Sequence, residues 1–442
     1  MIRTIFVKNG SVITMDSNRR IIENGAVAIE NDKIVEVGKT EDLQKNYGAS
    51  EFVIDAKNKA VMPGLVNLHY HSHFFTRGLF QSETPKKTLD ELLCEFFYPL
   101  AKKMTPEEIF AEASLAYVDS IKSGTTCVND IYWHLGALAD AAKETGLRAV
   151  ICSEALDIVE SENIGDNEKG FLEKNNLANG RIKIWFGIEW LPVCSRDMVM
   201  KVRELANKYR TGIHIHLNES MWEVEKCKKM FGKRPIEEAY DLGVLGEDCV
   251  AAHCVWVSDR ELRILRDTKT NVAHNPVSNL ILANGFARIP EMISSGINVG
   301  LGTDAPNNNS DMLETMKLAS IMQKGFKLDI TQMPFDKILE MATINGAKAL
   351  GMEKEIGSIE VGKKADIILL NLRSTKFEPV VMGKYSNLIP NIVYSAHGED
   401  VDTSIIDGQI VMQNRQLKTV DEEKVIENAK ETMVSVADKI FS

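Results

Sequence analysis

Two short motifs place histidines two residues apart in segments that have the alternating pattern of β-strands. His69 and His71 stand in NLHYH, which follows a Pro-Gly turn, and His214 and His216 stand in GIHIHLNE. Residues i and i+2 of a strand lie on the same face, so each motif presents two imidazoles to one side. Imidazole nitrogens bind zinc and related divalent ions. The first motif therefore predicts half of a metal site.

In the second motif, His216 is predicted to reach the metal and His214 is not. His216 lies nearer the carboxyl end of its strand, whereas His214 lies one layer deeper, where packed side chains favour a hydrogen-bonded core residue. Glu219 comes three residues later and leaves the strand. Its carboxyl can therefore lie over the site without binding the metal, as a general acid or base requires.

Two further candidates also end apolar strands. His253 ends the strand in AAHCVW, and Asp304 ends the strand in LGTDAP. An aspartate before a proline can be a simple turn former. Because three other strands offer functional groups at the same edge, we interpret Asp304 as a metal ligand. The other histidines are weaker candidates for catalysis or metal binding. His274 is predicted to be structural and His73 to line the pocket. His134 is predicted to start a helix, and His397 to lie in the terminal β domain.

The segments that must position these residues alternate apolar strands with longer amphipathic stretches, a pattern typical of repeated βα units around a parallel sheet. Eight strands are predicted, which is the number that a closed barrel requires. Capped helix starts fit between them, at Thr105-Pro106-Glu107-Glu108 and at Ser195 and Ser258. The predicted strands are LVNLHYH, GTTCVNDIY, RAVICSE, RIKIWFG, GIHIHLN, CVAAHCVWV, TNVAHN and INVGLGTD.

Both ends of the chain read as short strands separated by turns, and NIVYSA and SIIDGQIVM are among those predicted near the carboxyl end. We expect an α/β protein with a (β/α)8 TIM-like barrel and a discontinuous β-sandwich domain built from both chain ends. The predicted division is residues 1-58 and 358-420 for the β-sandwich, 59-357 for the barrel and 421-442 for a terminal helix.

Composition narrows the classes of partner. The chain has 442 residues with a net charge of -11, which makes a nucleic-acid partner unlikely because phosphate binding needs a basic surface. No stretch of about 18 apolar residues occurs, so neither a membrane span nor a membrane partner is expected. The 7 cysteines are odd in number and lie in apolar runs. Reduced, buried thiols and a cytoplasmic location are therefore predicted.

Taken together, MPGLVNLHYH, HIHLNE, AAHCVW, AHNPVSNL and LGTDAP resemble, in this order, the amidohydrolase superfamily. The similarity is to its mononuclear branch of methylthioadenosine/S-adenosylhomocysteine deaminases, guanine deaminases and triazine hydrolases. It extends over nearly the whole chain, including the carboxyl-terminal GSIEVGKKADIILL. In that family an arginine follows the first barrel strand whatever the substrate, so Arg77 is predicted to be structural.

The resemblance implies one divalent ion held by His69, His71, His216 and Asp304. Zinc is the ion expected for three histidines and one aspartate, with Fe²⁺ and Mn²⁺ left open. No lysine ends the fourth strand, so a second, bridged metal is not expected. The resemblance also implies hydrolytic deamination, in which His253 and Asp304 orient and deprotonate water and Glu219 carries protons to the ring and the departing ammonia.

The resemblance also implies a homo-oligomer. The substrate is predicted to be an amino-substituted N-heterocycle such as a purine, pterin, pyrimidine or triazine. Nucleoside deaminases of this branch have a glutamate where Ala101 stands, an arginine near Ser153, and a histidine at Glu189, which argues against an unmodified nucleoside. Glu154, Glu189 and Trp190 are the predicted substrate-binding residues, unless either glutamate faces solvent.

Three alternatives stay open. One is a hydrolase that removes chloride or an alkylamine from a triazine-like ring. Another is a methylthioadenosine/S-adenosylhomocysteine deaminase. The third is a binding scaffold without catalysis, and the retention of all four ligands with Glu219 and His253 argues against it.

Overall fold

A computed structural model describes residues 3–73, 89–157, 164–305 and 309–441. Arg77, which the sequence predicts to be structural, lies outside the described residues. The strands are β1 to β17 in chain order: Thr4–Ile13, Ile21–Glu30, Lys33–Lys39, Phe52–Asp55, Lys59–Pro63, Leu65–Tyr70, Thr125–Tyr132, Arg148–Ala155, Ile182–Ile188, Ile213–Leu217, Cys249–His253, Asn271–His274, Val299–Leu301, Ile367–Asn371, Val401–Ile406, Gln409–Gln413 and Gln416–Leu417.

Most of the helices lie between these strands, as repeated βα units require. A continuous helical run starts with Leu89–Leu92, widens to a π-helix over Leu93–Phe97 and ends with Tyr98–Lys103. The other helices of six residues or more are Thr40–Tyr47, Pro106–Lys122, Leu135–Thr145, Ile164–Lys174, Arg196–Tyr209, Met221–Phe231, Pro235–Asp241, Asp259–Thr268, Pro276–Ile281, Ile289–Ser294, Met312–Lys327, Phe335–Ala342, Ile344–Ala349, Leu388–Ser395 and Glu422–Phe441.

The eight predicted barrel strands are confirmed as β6 to β13. They pair in parallel and in chain order. Six of the predicted segments contain the whole strand, and those of β8 and β9 end one residue before it does. The predicted caps are also present, since Thr105 closes a capping box with Glu108 and the Ser195 and Ser258 side chains accept from the backbone of their helices. The ring closes where the Asp304 amide donates to the His69 carbonyl at 2.9 Å. This seam brings the first and last predicted ligand strands together.

The remaining strands form one mixed sheet that is built from both ends of the chain, as expected. Its order is β17-β16-β15-β14-β5-β1-β2-β3, with β4 paired to β1. The sheet includes Lys59–Pro63, which the predicted boundary at residue 58 assigned to the barrel; this segment pairs with β14 and β1. The predicted strand NIVYSA is wrong, because Leu388–Ser395 is a helix. Its buried Leu388 and Ile392 are four residues apart, a helical spacing in a short apolar run that also suits a strand.

All seven cysteines lie in the described part of the chain and are unpaired, and six of them are buried. Within the described residues, no helix is both long and apolar enough to cross a bilayer.

A buried ion pair joins the terminal sheet to the barrel. Arg148, at the start of β8, binds Asp366 through two hydrogen bonds of 2.6 and 2.9 Å and also contacts Asp407 at 3.1 Å. The Arg148 and Asp366 side chains are only 1% and 2% exposed. Because both charges are held away from water, each depends on the other for compensation.

We expect Arg148→Met to lower the free energy of unfolding by roughly 3 to 5 kcal/mol, since it leaves buried Asp366 without its partner. Urea denaturation followed by circular dichroism measures this change. Lys228→Met is the control, because it breaks an exposed helical ion pair with Glu225 and should leave the urea midpoint nearly unchanged. Equal effects of the two substitutions would contradict the proposed importance of the buried pair.

Candidate active site

The four predicted metal ligands converge at the carboxyl ends of the barrel strands. His69 and His71 come from the end of β6, His216 from β10 and Asp304 from the loop after β13. Asp304 Oδ1 lies 3.1 Å from His69 Nε2 and 3.3 Å from His71 Nε2. His216 Nε2 lies 3.3 Å from His71 Nε2. Three nitrogens and one carboxylate oxygen therefore face a common point.

The outer nitrogen of each histidine has a partner that fixes the orientation of the ring. His71 Nδ1 donates to the Ile131 carbonyl at 2.6 Å, and His216 Nδ1 donates to the Glu189 carbonyl at 3.0 Å. His69 Nδ1 lies 2.8 Å from His214 Nε2. A ring whose Nδ1 holds a proton can direct the lone pair of its Nε2 inward, and His69 Nε2 is buried without a hydrogen-bond partner. Such nitrogens suit a divalent cation.

The electric field in this cluster also favours a positive charge. Burial alone would lower the pKa of His71, but the hydrogen bond and charge of Asp304, with the charges of Glu154 and Glu189, raise it to about 10. Burial would raise the pKa of Asp304, yet His69 and His253 hold it well below its usual value. Without a metal, His71 therefore holds a proton beside the ionised Asp304. A divalent cation that displaced this proton would complete the predicted His3Asp donor set.

Glu219 and His253 lie beside the cluster, and further side chains hold both in place. Glu219 accepts from Trp190 Nε1 at 3.0 Å and from Asn284 Nδ2 at 2.9 Å. His253 Nδ1 lies 2.9 Å from Asn279 Oδ1, and its Nε2 lies 3.8 Å from Asp304 Oδ2. Burial, with the charges of Asp304 and Glu189, raises the pKa of Glu219 well above its usual value.

A cavity opens directly over this cluster. Glu154, Glu189, Glu219, His253 and Asp304 all line it, together with His71, His73, Leu89, Leu92, Leu93, Phe97, Tyr98, Ala101, Tyr132, Trp133, His216 and Leu282. Glu154 and Glu189 are 7% and 4% exposed, so both are turned inward and away from bulk solvent. The aromatic side chains supply flat apolar surfaces, and the carboxyls and imidazoles supply polar groups.

The surroundings of Trp190 differ from its predicted substrate-binding role, and two asparagines near the site are absent from the sequence predictions. Trp190 is 1% exposed and donates to Glu219, and Trp133 is the tryptophan that lines the cavity. Asn284 stands in a loop with no motif, so no sequence signal marks it. Asn279 belongs to the AHNPVSNL motif, which could have indicated it.

The remaining histidines are core residues, part of the cavity wall, or residues that precede a helix or strand. His214 is fully buried beside His69, in agreement with the predicted deeper layer. His274 is also fully buried, and neither of its ring nitrogens has a hydrogen-bond partner. His73 lines the cavity, with its ring stacked on Tyr132 at 4.7 Å. His134 directly precedes the helix Leu135–Thr145, as predicted, and His397 precedes β15 of the terminal sheet.

Comparison with known proteins agrees with this geometry. The model of the amidohydrolase family matches residues 60–411, and an imidazolonepropionase-like composite domain of bacteria matches residues 25–49. The chain belongs to the amidohydrolase family. As a member, it is a hydrolase with a TIM-like barrel, and divalent-metal binding is typical of its family.

Two relatives match almost the whole chain. A 5-methylthioadenosine/S-adenosylhomocysteine deaminase of Acetivibrio thermocellus is 40% identical over 97% of this chain and 98% of its own length. A 5'-deoxyadenosine deaminase of Methanobrevibacter smithii is 39% identical over 97% of each chain. Among solved structures, an adenosine deaminase of Xanthomonas campestris with bound zinc has a TM-score of 0.91 at 26% identity, with 98% of each chain covered.

The contact between His69 and His214 leads to a testable prediction. His214→Ala should weaken the affinity for zinc by about 10- to 100-fold, because it removes the group that orients His69. Competition with a chromophoric chelator measures this affinity. His274→Ala is the matched control, since it removes another fully buried histidine near the barrel interior and should leave zinc affinity nearly unchanged. An unaltered affinity in the His214 variant would contradict an orienting role.

Proposed function

We propose that this amidohydrolase is a metal-dependent deaminase that converts an amino-substituted N-heterocycle to its oxo form and releases ammonia. The observation that carries the proposal is the set of three inward Nε2 atoms and Asp304, with Glu219 and His253 beside it in one aromatic cavity. The names of the relatives, both deaminases of adenine derivatives, support the same reaction.

His69, His71, His216 and Asp304 would hold one divalent ion, and zinc suits three imidazoles and one carboxylate best. When bound, the ion supplies a water of lowered pKa that can act as a nucleophile at neutral pH. Zinc in the similar adenosine deaminase structure supports this choice of metal.

Water is oriented by His253 and Asp304. His253 keeps its proton on Nδ1, facing Asn279 Oδ1, so its Nε2 is free to accept a hydrogen bond from the attacking water. Burial lowers the pKa of His253, which favours this neutral form. Asp304 stays ionised and can take the proton that the water loses.

Glu219 is the proton carrier for the ring. Burial raises the pKa of Glu219, which favours the protonated carboxyl, and the N–H groups of Trp190 and Asn284 fix the orientation of that carboxyl. Glu219 gives its proton to a ring nitrogen, which makes the neighbouring carbon electrophilic. Water adds to that carbon, a proton moves to the amino group, and ammonia leaves.

Substitution of Glu219 tests its assigned role. Glu219→Gln should lower ammonia release by about 100-fold or more, because an amide cannot carry the proton. Metal content and the circular dichroism spectrum should stay unchanged. Glu225→Gln, on the exposed side of the neighbouring helix Met221–Phe231, is the control and should keep full activity. Full ammonia release by the Glu219 variant would rule out the assignment.

Removal of the metal tests the proposed reaction as a whole. Dialysis against a chelator should abolish ammonia release, and one equivalent of Zn²⁺ should restore it. Parallel additions of Fe²⁺ and Mn²⁺ identify the most effective ion. The substrate panel should include 5'-deoxyadenosine and 5-methylthioadenosine, because the relatives are named for them, with free bases, pterins and triazines. Undiminished activity of metal-free protein would contradict the proposal.

A further inference from the structure

Two glutamates in the cavity have no part in the proposed chemistry. Glu154 is the next-to-last residue of β8 and Glu189 directly follows β9, so both stand at the carboxyl ends of neighbouring barrel strands, as the predicted ligands do. Both line the cavity that also holds Glu219, His253 and Asp304. Two carboxyls placed together in an enclosed site are costly unless a partner compensates them.

One oxygen of each carboxyl is fixed by an aromatic side chain. Trp133 Nε1 donates to Glu154 Oε2 at 2.6 Å, and the Tyr98 hydroxyl donates to Glu189 Oε1 at 2.8 Å. These contacts hold the two side chains in defined orientations within the cavity wall. The other oxygen of each carboxyl is therefore presented in a fixed direction.

These second oxygens are poorly satisfied within the protein. Glu189 Oε2 is buried and has no hydrogen-bond partner; His216 Nδ1 lies 3.2 Å away but donates to the Glu189 carbonyl. Glu154 Oε1 lies 3.6 Å from His71 Nδ1, which donates to the Ile131 carbonyl. A buried acceptor without a partner, such as Glu189 Oε2, usually binds a water or a ligand.

The walls of the cavity add two constraints on that ligand. Among the described residues that line it, none is a lysine or an arginine, so the two glutamates have no such cation beside them there and an N–H donor on the substrate can fill that place. Phe97, Tyr98, Tyr132 and Trp133 surround the space with aromatic faces and edges, which favour a flat ring.

We propose that Glu154 and Glu189 determine specificity by binding a second amino group on the substrate ring. One amino group supplies two N–H donors, which matches the two free acceptor oxygens. The substrate class is then a planar diamino heterocycle, with one amino group at the metal cluster and the other at the glutamate pair. This inference rests on the proposed deaminase function.

Matched substrates test the proposal with the zinc-loaded protein. Adenine and 2,6-diaminopurine differ by one amino group, as do 5'-deoxyadenosine and its 2-amino derivative. In each pair we expect the diamino compound to have a kcat/KM for ammonia release about tenfold higher, the scale of one hydrogen bond to an otherwise unsatisfied acceptor. Titration calorimetry with the Glu219→Gln variant measures the same preference as binding, independently of turnover.

The variants Glu154→Gln and Glu189→Gln locate the source of the preference, since each replaces a carboxylate with an amide of nearly the same shape. Each should lose most of the diamino preference while zinc content is retained. Glu238→Gln alters a buried glutamate outside the cavity and should keep the preference.

The outcomes separate this inference from the proposed function. Ammonia release from both members of each pair at equal efficiency would overturn the diamino preference and leave the deaminase function intact. Loss of zinc in the two glutamine variants would also overturn it, because the glutamates would then serve only to support His71 and His216. No ammonia from any heterocycle would reject the proposed function and the inference together.

Discussion

The candidate site depends on the hydrogen bonds that hold the Nδ1 atoms of three histidines. An imidazole can direct its lone pair at a metal only if its other nitrogen carries the proton. Two backbone carbonyls, those of Ile131 and Glu189, set this state for His71 and His216, and His214 sets it for His69. Because carbonyls of neighbouring strands perform most of this task, the geometry of the barrel itself selects the ligand tautomers.

The contact between β6 and the chain that leaves β13 positions Asp304, the fourth predicted ligand. The Asn67 side chain accepts from the Thr303 amide and donates to the Thr303 hydroxyl, which ties β6 to the chain leaving β13. A Cβ on Gly302 would lie 2.7 Å from the Cβ of His69, so this close approach needs glycine. Asp304 then turns inward with a φ of 53°, a left-handed conformation that aspartate tolerates better than most residues.

These constraints explain which parts could be predicted from the sequence. The barrel strands and the residues at their ends follow from local apolar patterns and the two-residue period, so His69, His71, His216 and Asp304 could be placed on one edge. The sequence does not identify the helix Leu388–Ser395, because its short apolar segment has no decisive period. Asn284 and Trp190 could not be connected with Glu219, since their contacts join separate loops.

The groups proposed for the reaction and those proposed for substrate specificity are held in place by different parts of the structure. The predicted metal ligands His71 and His216 are oriented by backbone carbonyls of the barrel, which most substitutions leave in place. Glu154 and Glu189 are oriented by the side chains of Trp133 and Tyr98, which lie on a loop and on a helix. A change at either aromatic position can therefore redirect a carboxyl without moving the metal cluster. Similar strand ends can therefore be combined with different substrate-binding walls, so the names of the relatives support the reaction more strongly than they support a substrate.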